Sequence, residues 1–275
     1  MIKVTGLFRY PIKSCAGISL DSAVLDRRGV EHDRRWMVAD AMGEFRTQRE
    51  LPRMALIHPA ISEDSLLLAA EGMPDLSVPL TAPGSPLTVE VWNDRVEAID
   101  CGEAVAEWLT RFLAEPLRLV RFDDEADRRV EQAYAVHPED QVGFADAYPL
   151  LIANEASLAE LNTRLAEALP MRRFRPNIVV AGAEAYAEDG WSRVRVGEVP
   201  VAVVKPCARC AITTVNPDTG EKGKEPLTTL AKFRRAEGGV MFCENAIHLA
   251  PGTLRVGDAV VVESRRESKW VYSTT

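Results

Sequence analysis

Apolar and polar positions along this chain mostly alternate in short runs, and only a few stretches repeat at helical spacing. Lys3-Val-Thr-Gly-Leu-Phe-Arg-Tyr10 reads as a strand that stops at Pro11, and Ile18 to Leu25 alternates as a second. Asp26-Arg-Arg-Gly29 is a turn, and His32-Asp-Arg-Arg-Trp-Met-Val38 leads into a strand that turns at Met42-Gly43. Between residues 61 and 100, runs such as Leu66-Leu-Leu and Leu87-Thr-Val-Glu-Val-Trp92 sit among frequent proline and glycine, an all-β pattern. Helical period first shows at 103–114, where Val105, Trp108, Leu109, Phe112 and Leu113 share one face.

Residues 116–145 are acidic and irregular, and the domain junction is placed there, giving units 1–122 and 123–275. Asp146-Ala-Tyr-Pro-Leu-Leu-Ile152 then leads into a helix expected near 155–169. Leu158, Leu161, Leu165 and Leu169 form its stripe, and Asn154 or Ser157 is its cap, the latter with Glu160 as a capping box. Ile178-Val-Val-Ala is an apolar strand. Val194 to Val204, with Gly197 inside, reads as a hairpin, and Leu254 to Val262, with Gly257 inside, as another. Pro226 and Gly238 bracket a third expected helix at 225–237. Short strands with three helices predict an α+β chain, mostly β and rich in barrels, and not alternating βαβ units.

Composition narrows the function. With 275 residues, 47% of them apolar, the chain is long enough to bury a full core. A net charge of −8 argues against a general nucleic-acid binder, which needs a basic face. No apolar run is long enough to span a membrane. The start lacks a signal-peptide pattern, and five cysteines make an odd count. The expectation is therefore a cytoplasmic protein with reduced thiols.

The candidate chemistry gathers where strands break. The β-branched run from Val201 is interrupted at Pro206-Cys207-Ala208-Arg209-Cys210, resumes with Ala-Ile-Thr-Thr-Val215 and ends in the turn signal Asn216-Pro-Asp-Thr-Gly220. Cys207-x-x-Cys210 admits a half zinc site, a redox dithiol, a thiolate for a soft metal beside Arg209, or two small buried thiols. Zinc would need four ligands, and Cys243 and His248 have no usual spacing. A redox dithiol normally opens a helix, whereas the residues after Cys210 are β-forming. Lys13, Arg34, Arg35, Arg172, Arg173, Arg175 and Arg209 are scattered cations, most of them expected on a solvated face. Arg175 and Arg209 sit at breaks between apolar runs, where guanidinium forks suit an anionic ligand such as phosphate. Asp146 stands at a similar break, as a cap or as a ligand contact.

These residues are also the ones that carry a family resemblance. Tyr10-Pro-Ile-Lys13-Ser14-Cys15-Ala-Gly17, Asp33-Arg34-Arg35-Trp36, Asp146-Ala-Tyr-Pro, Phe174-Arg175-Pro176-Asn177 and Cys207-Ala-Arg-Cys210-x-x-Thr213-Thr214 resemble the MOSC-domain proteins of the amidoxime-reducing type. The likeness runs from about residue 3 to about 263. It implies an N-terminal β-barrel-like domain and a C-terminal MOSC β-barrel, with molybdenum cofactor (Mo-molybdopterin) between them. A family-level association with pyridoxal phosphate comes with it. The resemblance puts the molybdenum ligand on Cys210 and an acidic residue beside the cofactor on Asp146. The pterin and its phosphate fall to Lys13, Ser14, Arg34, Arg175, Asn177, Ala208 and Arg209, with Ala208 offering only its backbone N–H. The implied reaction is two-electron reduction of small N-hydroxylated substrates, with a non-catalytic cofactor or persulfide carrier as the rival reading. No plant-type C-x₄-C-x₂-C run, Rossmann glycine fingerprint or haem-attachment motif is present. A separate electron donor is therefore expected: a ferredoxin, a flavoprotein or a cytochrome b5-like protein.

Overall fold

The computed structural model describes residues 1–81 and 84–267. Seven strands close into a barrel in the order Leu150–Asn154, Ile178–Ala181, Ile2–Arg9, Ala259–Arg265, Trp191–Val196, Val199–Ala208 and Gly239–His248. The last pairs back onto the first through Leu150↔Ala246 and Ile152↔Glu244. Alternation in the sequence becomes alternation in space: Val199, Val201 and Val203 point inward with at most 3% exposure. They meet Val4, Leu7, Ile152, Ile178, Val194 and Trp191 in one continuous core.

The expected mostly-β class is what the structure shows. The strand Arg118–Phe122 is the last in sequence of the four-stranded sheet that includes Trp36–Ala39. The first strand nevertheless belongs to the C-terminal barrel, pairing Ile2↔Val260 and Lys3↔Ala181. Residues 36–122 make the remaining unit. Its four-stranded sheet runs Trp36–Ala39, Arg118–Phe122, Asp94–Asp100, Pro86–Val91, beside a three-stranded sheet of Leu76–Pro79, Ser65–Ala69 and His58–Ile61. Helix α1 (Glu103–Leu113) packs between them, burying the five residues its period singles out. No helix among the described residues is long and apolar enough to cross a membrane.

Several local expectations need correction. Helix α2 spans only Glu155–Asn162, capped by Asn154, whose side chain accepts from Ala156 N at 3.1 Å. Ser157 is buried beneath it and donates to Glu188 instead. The helix stops because the Asn162 amide brackets Leu169, accepting from its N–H and donating to its C=O, which folds the chain back. The third helix, α3, is a single turn at Leu227–Leu230. The chain leaves it because Arg235–Ala236 pairs with Gly239–Val240 across a Gly238 turn with φ 89°. Leu254 to Val262 is not a hairpin: Gly252–Arg255 pairs with Ser22–Asp26, while Ala259–Arg265 enters the barrel. Ala211–Thr214 is a 3₁₀ turn and not a strand, with Cys210 as its cap.

Candidate functional site

A cleft lies beside the barrel, walled by residues 13, 14 and 34, which follow its first strand, and by parts of 145–151, 174–177 and 207–212 and residue 245. Lys13, Ser14, Arg34, Asp146, Arg175, Asn177, Cys207, Arg209 and Cys210 all line it. Residues spread over nearly 200 positions thus converge on one wall. Ala208 does not line it; it ends its strand with an exposed side chain.

Local irregularity aims each of these groups. The register of Val199–Ala208 against Gly239–His248 slips twice, between Val203 and Lys205 and again between Pro206 and Ala208. Bulges of this kind rotate side chains out of the alternating pattern, and they turn Cys207 toward the cleft. Ser14 (φ 66°), Arg34 (φ 48°) and Arg175 (φ 57°) all hold the left-handed backbone that side chains avoid. Such conformations persist only where surrounding contacts over-determine them, and they cluster at functional sites. Those contacts are visible. Tyr10 N donates to Asp33 Oδ1 at 2.7 Å, Arg34 N to Tyr10 O at 2.8 Å, and Phe144 N to Arg34 O at 2.8 Å.

The cations form a ladder. Arg34 and Arg175 sandwich the ring of Tyr10, each guanidinium 4.3 Å from its centroid. Arg34 also pairs with Asp33 at 2.6 Å and donates to Arg175 O at 3.1 Å. Arg175 Nη1 donates to Cys15 O, and Arg209 Nη2 to Phe174 O at 2.7 Å. Burial, with Arg34 alongside, lowers the Arg175 pKa to about 10. Burial pushes the Tyr10 hydroxyl up to about 12, against the pull of the two arginines. Ser14 Oγ, Arg175 Nη2, Arg209 Nε and Tyr10 OH are buried without a hydrogen-bond partner. Buried polar groups are nearly always satisfied, and three of these atoms, on Ser14, Arg175 and Arg209, belong to residues of this one cleft. Lys13, Arg34, Arg175 and Arg209 outnumber the carboxylates beside them, Asp33 and Asp146, an excess of positive charge that suits an anion.

The two cysteines differ. Cys207 Sγ accepts from Arg209 Nη1 at 2.9 Å, and burial raises its pKa despite that guanidinium. Cys210, partly exposed at the cap of the 3₁₀ turn, has no hydrogen bond to its sulfur among the described residues. Of the pair, Cys210 has the sulfur left free to bind. All five cysteines are unbridged. Among the described residues no three His, Cys, Asp or Glu side chains gather as a metal cage, which disfavours the zinc reading.

Asp146 faces the mouth with 60% of its side chain exposed. Burial of the region opposes its charge. The Lys13 ammonium at 2.5 Å, the Trp92 N–H at 3.1 Å and Arg34 nevertheless hold its pKa well below the usual carboxylate range. Lys13 itself is buried, also donates to Phe144 O at 2.8 Å, and has a lowered pKa because desolvation outweighs Asp146. The Asn177 side chain is already committed to neighbours, accepting from Leu151 N and Arg34 and donating to Phe8 O, each at 3.2 Å. It fixes the wall more than it offers donors.

The sequence reading gave no role to Tyr10, Trp92 or Arg128. Arg128 braces the 143–146 loop through the carbonyls of Gly143, Ala145 and Asp146, and is itself held by Asp94 at 2.8 Å. It lies in an acidic irregular stretch with no signal of its own. Trp92 ahead of Asn93-Asp94 was a readable turn position.

Residues 1–116 match the MOSC N-terminal beta barrel domain and residues 139–261 the MOSC domain. Mitochondrial amidoxime-reducing component 1 of Homo sapiens is 38% identical over 94% of this chain and 82% of its own length. The Mus musculus protein is 39% identical over 94% of this chain and 81% of its own. Mitochondrial amidoxime reducing component 2 of Bos taurus is 35% identical, covering 94% and 82%. With both domain types present in order and that identity carried along nearly all of its length, the chain belongs to the MOSC-domain family of amidoxime-reducing components.

Proposed function

We propose that this protein is a molybdenum-cofactor-dependent reductase of small N-hydroxylated compounds. The observation that carries the reading is the pairing, in one cleft, of a free thiol at Cys210 with the buried, unpartnered donors of Ser14, Arg175 and Arg209. A soft thiolate suits molybdenum, and convergent guanidinium and hydroxyl donors suit the phosphate and ring heteroatoms of a pterin. The donor set therefore fits the group that the family implies. Cys210 would hold the metal, and Lys13, Ser14, Arg34, Arg175 and Arg209 the anionic pterin. Asn177 would keep the wall in register. When bound, the cofactor supplies two-electron redox chemistry at an N–O bond.

The protein's own part is binding, orientation and protonation state. Asp146 is ionised at neutral pH, so it serves as a fixed acceptor for substrate N–H groups and not as a general acid. The buried Lys13 ammonium beside it is the nearest proton-bearing group at the mouth. Electrons would arrive from a separate ferredoxin, flavoprotein or cytochrome b5-like protein.

The test is metal and pterin analysis of the purified protein with benzamidoxime turnover. Near-equimolar molybdenum and pterin, turnover with dithionite-reduced viologen and none with NADH alone are expected. Molybdenum and pterin without any turnover would favour the carrier reading. Zinc without pterin would refute both, and turnover with NADH and no added protein would refute the separate donor.

A further inference from the structure

Residues 143–146 have no regular structure, and two buried cations set their shape. Every carbonyl of the stretch accepts from one of them. Gly143 O at 2.7 Å, Ala145 O at 2.5 Å and Asp146 O at 3.0 Å are bound by the Arg128 guanidinium, and Phe144 O at 2.8 Å by Lys13 Nζ. A planar fork with five donors can serve several acceptors spread around it, which a single ammonium cannot. Arg128 is only 5% exposed, and burial lowers its pKa, so its charge needs a counterion. Asp94 supplies one, accepting from Nε at 2.8 Å while half of its own side chain stays in solvent.

What this stretch carries is the charged pair at the mouth of the cleft. The Phe144 carbonyl and the Asp146 carboxylate are the two acceptors of the Lys13 ammonium. The backbone is also pressed against the segment that bears Arg34. Phe144 N donates to Arg34 O at 2.8 Å, and a Cβ on Gly143 would lie 2.9 Å from that same oxygen. Asp94 begins the strand after the Trp92-Asn93 turn, and Trp92 Nε1 donates to Asp146 Oδ1 at 3.1 Å. The hairpin tip thus grips the stretch twice, the Asp146 side chain through Trp92 and the backbone through Asp94 and Arg128.

We propose that Arg128, anchored by Asp94, is a positioning residue for the reduction: it casts residues 143–146 and so fixes the Lys13 ammonium and the Asp146 carboxylate relative to the cleft. Neither Arg128 nor Asp94 lines the cleft, so both act through other groups. This rests on the reductase reading and adds to it residues remote from the chemistry. A displacement of about 1 Å in groups that orient a substrate can cost about a hundredfold in rate, so the stretch need not unfold for the effect to show.

The experiment uses two mild variants. Asp94→Asn keeps the shape and removes the counterion, and Arg128→Lys keeps a cation and removes the fork. Hydrogen exchange, read on peptides covering 143–146, needs no bound cofactor. Exchange there should quicken about tenfold in both variants, with the barrel strands unchanged. Benzamidoxime kinetics are taken per mole of bound molybdenum. The kcat/KM should fall about tenfold in Asp94→Asn and about ten- to a hundredfold in Arg128→Lys. In an Asp146→Ala background the loss from Asp94→Asn should shrink to less than about threefold, because one of the groups it positions is gone. A role in stability alone would quicken exchange throughout the protein and give kinetic losses that multiply in full. Either of those results, or unchanged exchange at 143–146, overturns the proposal. If the unsubstituted protein holds molybdenum and pterin yet turns nothing over, the reductase reading fails, while exchange still decides whether Arg128 casts the stretch.

Discussion

Replacing Arg175 by alanine gives the sharpest test of the anion site. The side chain makes one internal hydrogen bond, to Cys15 O, and one ring contact, with Tyr10. Removing it leaves a buried carbonyl unpaired, at about 1–3 kcal/mol, and a lost ring contact of about 0.5–1 kcal/mol. Against this, a desolvated cation crowded by Arg34 disappears, which returns stability to the empty protein. The net effect on folding is therefore small, on the order of 1 kcal/mol. Anion binding has no such compensation. One charge-assisted hydrogen bond from Nη2 is worth about 1.5–3 kcal/mol, which weakens retention about ten- to a hundredfold. The backbone supplies a control, because φ is 57° at this position. Arg175→Gly should match the alanine variant in cofactor loss yet be more stable by about 1 kcal/mol. The assay is pterin fluorescence after oxidative release, per mole of protein, beside circular dichroism and thermal melting. Full pterin occupancy in both variants would refute the assignment of Arg175 to the anion.

Three further outcomes follow from the same geometry. Cys210→Ser should abolish amidoxime reduction while the melting temperature holds, because a hydroxyl replaces a soft thiolate, and Cys207→Ser should keep measurable turnover; the reverse pattern in viologen-coupled kinetics would exchange the two roles. Gly17→Ala should cost about 1–3 kcal/mol and release pterin, since a Cβ there would lie 2.4 Å from Tyr10 Cε1 in the arginine sandwich; an unchanged denaturant midpoint would show that Tyr10 moves freely. His248 donates from Nε2 to Asp26 O at 2.6 Å, so protonation must fall on Nδ1, which is buried without a partner. Burial lowers its pKa below the usual 6.5, the unfolded chain binds the extra proton, and stability falls as pH drops below about 6.5. His248→Gln should flatten part of the stability slope between pH 7 and 5, with His32, also lowered by burial, left to supply the remainder; an unaltered slope in urea titrations would remove His248 from the account.

How far the sequence could be read depended on the scale of the signal. The α1 stripe and the inward valines of 199–203 were readable because burial and period coincide there. Helices α2 and α3 were overextended because their ends are set by tertiary bonds that leave no periodic trace, namely Asn162 around Leu169 and the 235–240 hairpin. At the site, Arg175 and Arg209 stood out at breaks between apolar runs, and the bulges of Val199–Ala208 explain why such breaks aim side chains. Spacing alone left Cys207 and Cys210 alike and only the resemblance favoured Cys210; the structure adds that Arg209 reaches the Cys207 sulfur. Trp92 and Arg128 act across the two units, Trp92 on Asp146 and Arg128 on Asp94, and nothing local to either residue announces a partner 54 or 34 positions away.

The placement of the first strand has a bearing on how the molecule is made. Ile2–Arg9 lies between Ile178–Ala181 and Ala259–Arg265, so the barrel joins segments more than 250 positions apart. During synthesis this strand emerges long before these two partners and must wait, its backbone groups unpaired, until Ala259–Arg265 has followed. Closure comes late and carries a large loop-closure entropy, which slows folding. A fragment cut to residues 139–261 would lack that strand and present two open sheet edges, the feature by which β proteins recruit copies of themselves. Lys13 and Ser14 follow directly on that strand, so the proposed anion site is completed only when the barrel shuts.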